Sequence, residues 1–294
     1  MFLGVNMKEY KSNEELLNYL ESKGVVIKNR KSALDIIEKY TYYSVVNTYK
    51  KVFKINDKYL DNVTFEEIYS LYNFDKYLKN IFLKYALEIE QVVKSLIANT
   101  ISEKYGVKDY LNYDCFDQNA GKDSIDKIIF DIDGAIEKNY GKHAAINHYK
   151  DIYGFIPPFV LVKIMTMGEI SRYYGLLKQE DRQRISKYFK ISDKLLKQIL
   201  VNITLVRNFS AHNNRLYTFH SKFFISFKSI DDTYDIFDKS TNLYMVMKCM
   251  EKLLNDDMKE QFVSLVNNAI YELDKKLSAI SIKDILNIMG FPNE

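Results

Sequence analysis

Apolar residues in this chain return every three or four positions over long stretches, which is the spacing of one face of an α-helix. The longest stretch follows Phe65, with core-facing positions at 68, 71, 74/75, 78, 81/82, 85/86, 89, 93 and 96/97. Thr64 followed by Glu67 gives this stretch a capping-box start, and Gly106 stands just past its end. Ser12 with Glu15 opens a shorter helix that Gly24 closes, and Ser32 with Asp35 opens a pattern running through Val52. A second packed stripe runs over 195/196, 199/200, 203 and 206, with Ser192 as its cap.

Between these stripes, residues 106–156 are less regular and carry Gly106, Gly121, Gly134, Gly141 and Gly154, which predicts an irregular insertion or a set of short helices. Pro157–Pro158 suits a helix N-terminus, where a missing N–H costs nothing. Gly168 is expected to break the helix of "FVLVKIMT" before "EISRYYGLLK". "FFISFKSI" (223–230) is the one stretch with a strand's character, so one short β-hairpin is expected near 217–230. Helices over about 241–255, 257–276 and 282–289 finish the chain. With no repeat and no low-complexity linker, the pattern predicts a single all-α domain over 1–294. It comprises an N-terminal helical segment (1–60), a core (61–255) holding the irregular insertion 106–156, and C-terminal helices (256–294).

Composition supports that picture and narrows the chemistry. Only ten Gly and three Pro occur in 294 residues, too few for a fold of many strands and turns. The two cysteines, Cys115 and Cys249, make neither a disulfide framework nor a zinc pattern, so a reducing cytoplasm is expected. The N-terminus turns polar too soon for a signal peptide, and no apolar run approaches the roughly 18 residues of a bilayer span. A formal net charge of +3 permits nucleic-acid binding without demanding it.

The second stripe ends in "VRNFSAHNNRLY" (206–217), where a packed helix meets dense ionisable and amide chemistry. Asn208 and His212 stand four apart and share a helical face. Arg207 lies about 140° away from His212 around the helix but has a long side chain. Histidine can give or take a proton near neutral pH, and arginine grips phosphate oxygens bidentately. Together they suffice for metal-free RNA cleavage through attack of a ribose 2′-OH on the adjacent phosphate. The rival interpretation is a helix end whose polar residues face solvent. If the chain leaves the helix after His212, Arg215 can hold a neighbouring phosphate and Tyr217 can stack a base, or the two can form a salt bridge and an aromatic staple. Asp75 and Glu90, near the apolar face of the long helix, either orient His212 or Arg207 or form a buried polar network.

These residues also carry a family resemblance. Arg207 and His212 fit the R-x(4–6)-H signature of HEPN-domain ribonucleases. "RNFSAHNNRLY" resembles the R-N-x-x-A-H-x-x-R-aromatic block of the Abi-like (abortive infection) family. "PPFVLVKIMTMGEISRYYGLL" and "LYNFDKYLKNIFLKYALEIEQVVKS" are similar to that family's Pro-Pro and Phe-Asp blocks, and "YTYYSVVNTY" to its Tyr-rich turn. The matching blocks span roughly residues 20–220 in the family's order. Lys163 stands where the family often has Glu, and Lys79 and Lys94 where it often has Arg.

The resemblance implies a HEPN-like helical bundle, usually dimeric, with one Arg–His motif from each copy meeting in a cleft. It implies a metal-independent endoribonuclease of anti-phage defence that uses no cofactor. Arg207, Asn208 and His212 would be catalytic. Arg215, Tyr217, Lys79 and Lys94 would bind RNA, and Asp75 and Glu90 would support them. RNA is the expected partner, as substrate and in some relatives as a regulatory RNA or antitoxin, with no membrane involved. A non-cleaving RNA-binding or sensor protein built on the same pocket is the alternative.

Two other patterns compete for attention. "IIFDIDGAIEKN" (128–139) resembles the D-x-D-G-T nucleophile loop of haloacid-dehalogenase-type phosphatases, with Asp131 as nucleophile and Asp231–Asp232 as a later element. Ala135 replaces the threonine, however, and no alternation of strands and helices surrounds it. His143 and His148 stand five apart without a Cys or carboxylate at ligand spacing, so no metal is expected there.

Overall fold

The computed structural model describes residues 10–212, 214–231 and 240–292. It is all-α, with only two tiny antiparallel strand pairs among the described residues. The chain forms two compact units, one from residues up to Lys79 together with 264–292, the other from 80–263.

In the first unit, α1 (Asn13–Ser22) begins at a capping box in which Ser12 and Glu15 exchange hydrogen bonds. It packs on α2 (Arg30–Tyr40). That helix starts earlier than the Ser32–Asp35 pattern predicts. Asn29 Oδ1 accepts the Ser32 N–H at 3.0 Å, which makes Asn29 the cap and places Ser32 in the first turn. Nor does it reach Val52. Thr41 sits at φ 63°, ψ 142°, a positive-φ, non-helical conformation that ends the helix. A π-helical turn (Tyr43–Asn47) and a 3₁₀ turn (Lys50–Phe53) follow, and then the two-residue strands β1 (Lys54–Ile55) and β2 (Lys58–Tyr59).

Helix α3 (Phe65–Tyr105, 41 residues) begins where the capping box predicts. Thr64 Oγ1 accepts the Glu67 N–H at 3.1 Å, while the Glu67 carboxylate takes the Thr64 N–H at 3.1 Å. The same carboxylate accepts the backbone N–H groups of Ser278 and Ala279 at 2.6 and 2.7 Å. Burial pushes this carboxyl up, but those N–H donors outweigh it and hold it below its usual range. The expected stripe is buried: Ile68, Leu71, Phe74, Leu78, Ile81, Phe82, Tyr85, Ala86, Ile89, Val93 and Ile97 all lie in the core.

In the second unit, the glycine-rich stretch resolves into helices: α4 (Lys122–Asn139) and α5 (Ala144–Tyr153), the latter closed by Gly154 in the left-handed region that an L side chain resists. Residues 128–139 lie inside α4, and Asp131 pairs with Arg172 at 2.6 Å. A phosphatase nucleophile loop needs a strand before it, so the D-x-D-G likeness is coincidental; Asp232 lies outside the described residues. Helix α6 (Pro158–Ile164) starts at the Pro-Pro pair. The break before α7 (Met167–Leu176) falls at Met165–Thr166 rather than at Gly168, because Thr166 and Glu169 form a capping box that restarts the helix.

Helix α8 (Gln179–Tyr188) leads to α9 (Asp193–Ala211), which packs against α7, α8 and α10 (Leu243–Leu253). Ser192 caps α9, and Leu195, Leu196, Ile199, Leu200, Ile203 and Val206 form its buried face. Helices α11 (Asp256–Asp274) and α12 (Ile282–Met289) close the chain much as the periodicity predicts.

The expected hairpin near 217–230 does not form. Strand β3 (His220–Ser221) pairs instead with β4 (Thr241–Asn242), and residues 227–229 make a 3₁₀ turn. Side chains claim the backbone of the predicted strand. The Phe223 carbonyl accepts from Asn202 Nδ2 and Thr241 Oγ1, and Gln198 Oε1 takes the Ser226 N–H. Groups satisfied in this way are not available to a strand partner.

Candidate functional site at the end of helix α9

The last turn of α9 carries Arg207 and Asn208, and the helix stops at His212. The His212 N–H still donates to the Asn208 carbonyl at 3.1 Å, but its backbone is extended at φ −110°, ψ 170°. His212 is therefore a helix C-cap, and the 140° helical offset from Arg207 no longer governs its side chain. His212 and Asn208 are exposed, while the Arg207 side chain is about one-third exposed, at 34%.

Arg207 does not stand alone. Its Nε lies 3.9 Å from Glu90 Oε2 on α3, and neither atom has a hydrogen-bond partner among the described residues. The other Glu90 oxygen accepts from Lys94 Nζ at 2.7 Å, one helical turn along α3. Glu90 and Lys94 are largely buried, with side chains 10% and 12% exposed. Thus a buried carboxylate is shared between a close lysine and an arginine held short of hydrogen-bond contact, and the cluster keeps a net positive charge. On the other side, Arg207 Nη1 reaches Asn208 Oδ1 at 3.5 Å, the edge of hydrogen-bond range. The C-terminal carbonyls of α9 favour a cation at this position.

The chain beyond His212 returns to the body of the unit. Leu216–Thr218 form a 3₁₀ turn packed on α9 and α10, and the Phe219 ring meets Phe209 edge-on at 5.1 Å. Tyr217 is completely buried in that turn, so its ring cannot stack a base, and the expected RNA contact is replaced by core packing. Arg215 is half-buried at the head of the turn, where its carbonyl accepts from Thr218 Oγ1.

Of the two supporting acids, Glu90 faces Arg207, and Asp75 belongs to the first unit. Asp75, fully buried in the first unit, accepts from Tyr49 at 2.7 Å and pairs with Lys79 at 3.2 Å. Lys79 and Lys94 accordingly spend their charge on neighbouring carboxylates rather than on open surface.

Lys94 also lines a cavity of about 540 Å³ between α3 and α6. Gln91, Ser95 and Asn99 form its α3 wall, and Phe159 and Lys163 stand on α6. Apart from Lys163, sequence reasoning did not single out these residues. The available signal was the row of small and polar residues at 91, 94, 95, 98 and 99, a helical face opposite the apolar stripe.

Residues 35–218, more than half of the chain, match the family described as Abi-like protein. The chain belongs to the Abi-like protein family. The match runs from within α2 through α9 to the 3₁₀ turn after it, so the Arg207–Asn208–His212 segment of this Abi-like chain lies inside it. No curated protein and no solved structure matches the chain. Among the described residues no group of His, Cys, Asp and Glu converges as metal ligands, and no helix is long and apolar enough to cross a membrane.

Proposed function

We infer that this Abi-like protein is a metal-independent endoribonuclease of the HEPN type, acting in abortive infection. The observation that carries this reading is the end of α9. There an exposed histidine at the helix cap follows an arginine whose charge is anchored, at 3.9 Å, to a buried and already lysine-paired glutamate. An arginine held short of hydrogen-bond contact can turn to a phosphate without leaving Glu90 unpaired, because Lys94 stays in place.

In the proposed reaction the 2′-oxygen of one ribose attacks the adjacent phosphorus as a base removes its proton. The bond from phosphorus to the 5′-oxygen breaks, and an acid protonates the departing oxygen. The products carry a 2′,3′-cyclic phosphate and a 5′-hydroxyl. His212 serves as acid or base, Arg207 stabilises the pentavalent phosphate, and Asn208 positions Arg207. One histidine per chain fills one of the two proton-transfer roles, so a homodimer bringing a second copy of the motif completes the site.

The test is cleavage of single-stranded RNA by the purified protein with and without EDTA, with analysis of product ends. The reading expects chelator-resistant cutting, cyclic-phosphate termini and a loss of about 10²-fold or more in His212→Ala. Undiminished cleavage by His212→Ala would overturn the catalytic assignment. Binding without cleavage by the wild type would identify a non-cleaving RNA-binding protein instead.

A further inference from the structure

Outside the α9 site, the second unit carries an unusual run of rings. His148, Tyr149 and Tyr153 on α5 contact one another with centroids 5.3–5.7 Å apart, and Tyr149 meets Phe159 of α6 at 5.9 Å. These are surface groups: Tyr153 is 55% and Phe159 45% exposed, and His148 is exposed as well. A ladder of exposed rings is costly to leave in water without a use. Phe159 is its last rung and also a wall of the cavity that Lys94 and Lys163 line. Lys163 is exposed, and among the described residues no carboxylate lines this cavity. Lys94 in turn holds Glu90, the partner of Arg207. The ring-lined cavity and the α9 site are therefore linked, within a single compact unit, through the Lys94–Glu90–Arg207 contacts.

We propose that the ring ladder and this cavity form a binding track for single-stranded RNA. Unpaired bases stack on the His148–Tyr153–Tyr149–Phe159 ladder, Lys163 holds the backbone where it crosses the groove, and the strand continues to Arg207. Stacked rings beside lysines are the chemistry that binds unpaired strands with little sequence preference, since every base has a π-face. A duplex offers its bases no access to such a ladder. The exposed charge of Lys163 beside the ladder argues for a polyanion over an apolar protein partner. The inference rests on RNA being the ligand of the α9 site and names the form of RNA that site receives.

The experiment measures fluorescence anisotropy of a labelled single strand of about 12 nucleotides and of the same sequence as a duplex. The protein is full-length His212→Ala, so that the probe stays intact. Phe159→Ala and Tyr153→Ala are expected to weaken single-strand binding roughly tenfold each while leaving duplex binding unchanged. Lys163→Ala, a surface change that cannot empty the core, lowers the slope of log affinity against log salt by about 0.7. Equal single-strand affinity in all three variants overturns the track, as does a change from dimer to monomer on Phe159→Ala with RNA affinity intact. Cleavage by the wild-type protein is assayed in parallel. Binding that follows the ladder in a protein that never cuts would sustain the track while refuting the ribonuclease reading. Cutting that ignores the ladder would do the reverse.

Discussion

Replacing Glu90 with glutamine removes the one negative charge that Lys94 and Arg207 share. The two contacts differ in weight. Lys94 Nζ sits 2.7 Å from the carboxylate with both side chains about nine-tenths buried, so this charge-assisted hydrogen bond contributes roughly 1.5–3 kcal/mol. Arg207, at 3.9 Å and one-third exposed, can turn to water and adds about 0.2–1 kcal/mol. The amide of glutamine still accepts a hydrogen bond from Lys94, so the expected loss is about 2 kcal/mol. With a urea slope near 2 kcal/mol per molar, the unfolding midpoint falls by roughly 1 M. Lys94→Met alone costs a similar amount by stranding Glu90, and the double variant is expected to recover most of it because no buried charge is left uncompensated. A double-mutant cycle by urea denaturation followed by circular dichroism reads this coupling as more than about 1 kcal/mol. Additive single costs, with coupling below about 0.5 kcal/mol, would refute the shared-carboxylate description.

Three further outcomes follow from other parts of the molecule. Tyr217→Ala lowers stability by roughly 3–5 kcal/mol through an unfilled core site but leaves RNA affinity of the folded protein unchanged; a selective loss of affinity in titrations below the melting temperature would return Tyr217 to the RNA surface. Glu67, held below its usual range by the N–H groups of Ala279, Ser278 and Thr64, contributes stability that is fully present above the unfolded carboxylate pKa and is lost as pH falls through the lower folded value. Thermal melts from neutral pH into that acid window should therefore converge for wild type and Glu67→Gln, and parallel curves would contradict the assignment. Burial pushes both the Cys115 and Cys249 thiols up, so neither is expected to react with a disulfide reagent at mildly alkaline pH until the protein unfolds; rapid labelling of the native protein would show that one of them is accessible.

Where the fold depended on local chemistry, the sequence made it legible. The apolar stripe of α3 and its Thr64–Glu67 start were visible because spacing and capping are properties of neighbouring residues. The same holds for Ser192 and the buried face of α9. Residues 223–230 misled for the opposite reason: their β-like composition was overruled by Asn202, Gln198 and Thr241, which reach them from elsewhere in the chain. The start of α2 was ambiguous because Asn29 and Ser32 are both good caps, and only the geometry chose between them. In the candidate site, Arg207, Asn208 and His212 were legible as a motif. That Glu90 faces Arg207 was not, because the contact depends on how α3 and α9 pack, which spacing within α3 does not encode. For Tyr217 the sequence leaves a base-stacking ring and an aromatic staple both open, and the turn that carries it folds inward.

The edge-on contact between Phe209 and Phe219 bears on what it takes to order a ligand-ready loop. The two rings are about ten residues apart in sequence, and closing a loop of that length has an entropic cost of a few kcal/mol whoever closes it. Here the fold closes it with its own aromatic pair. In the proposed reaction, a phosphate approaching His212 meets a helix end already anchored by this ring pair, which leaves more of its interaction energy for affinity and for the transition state.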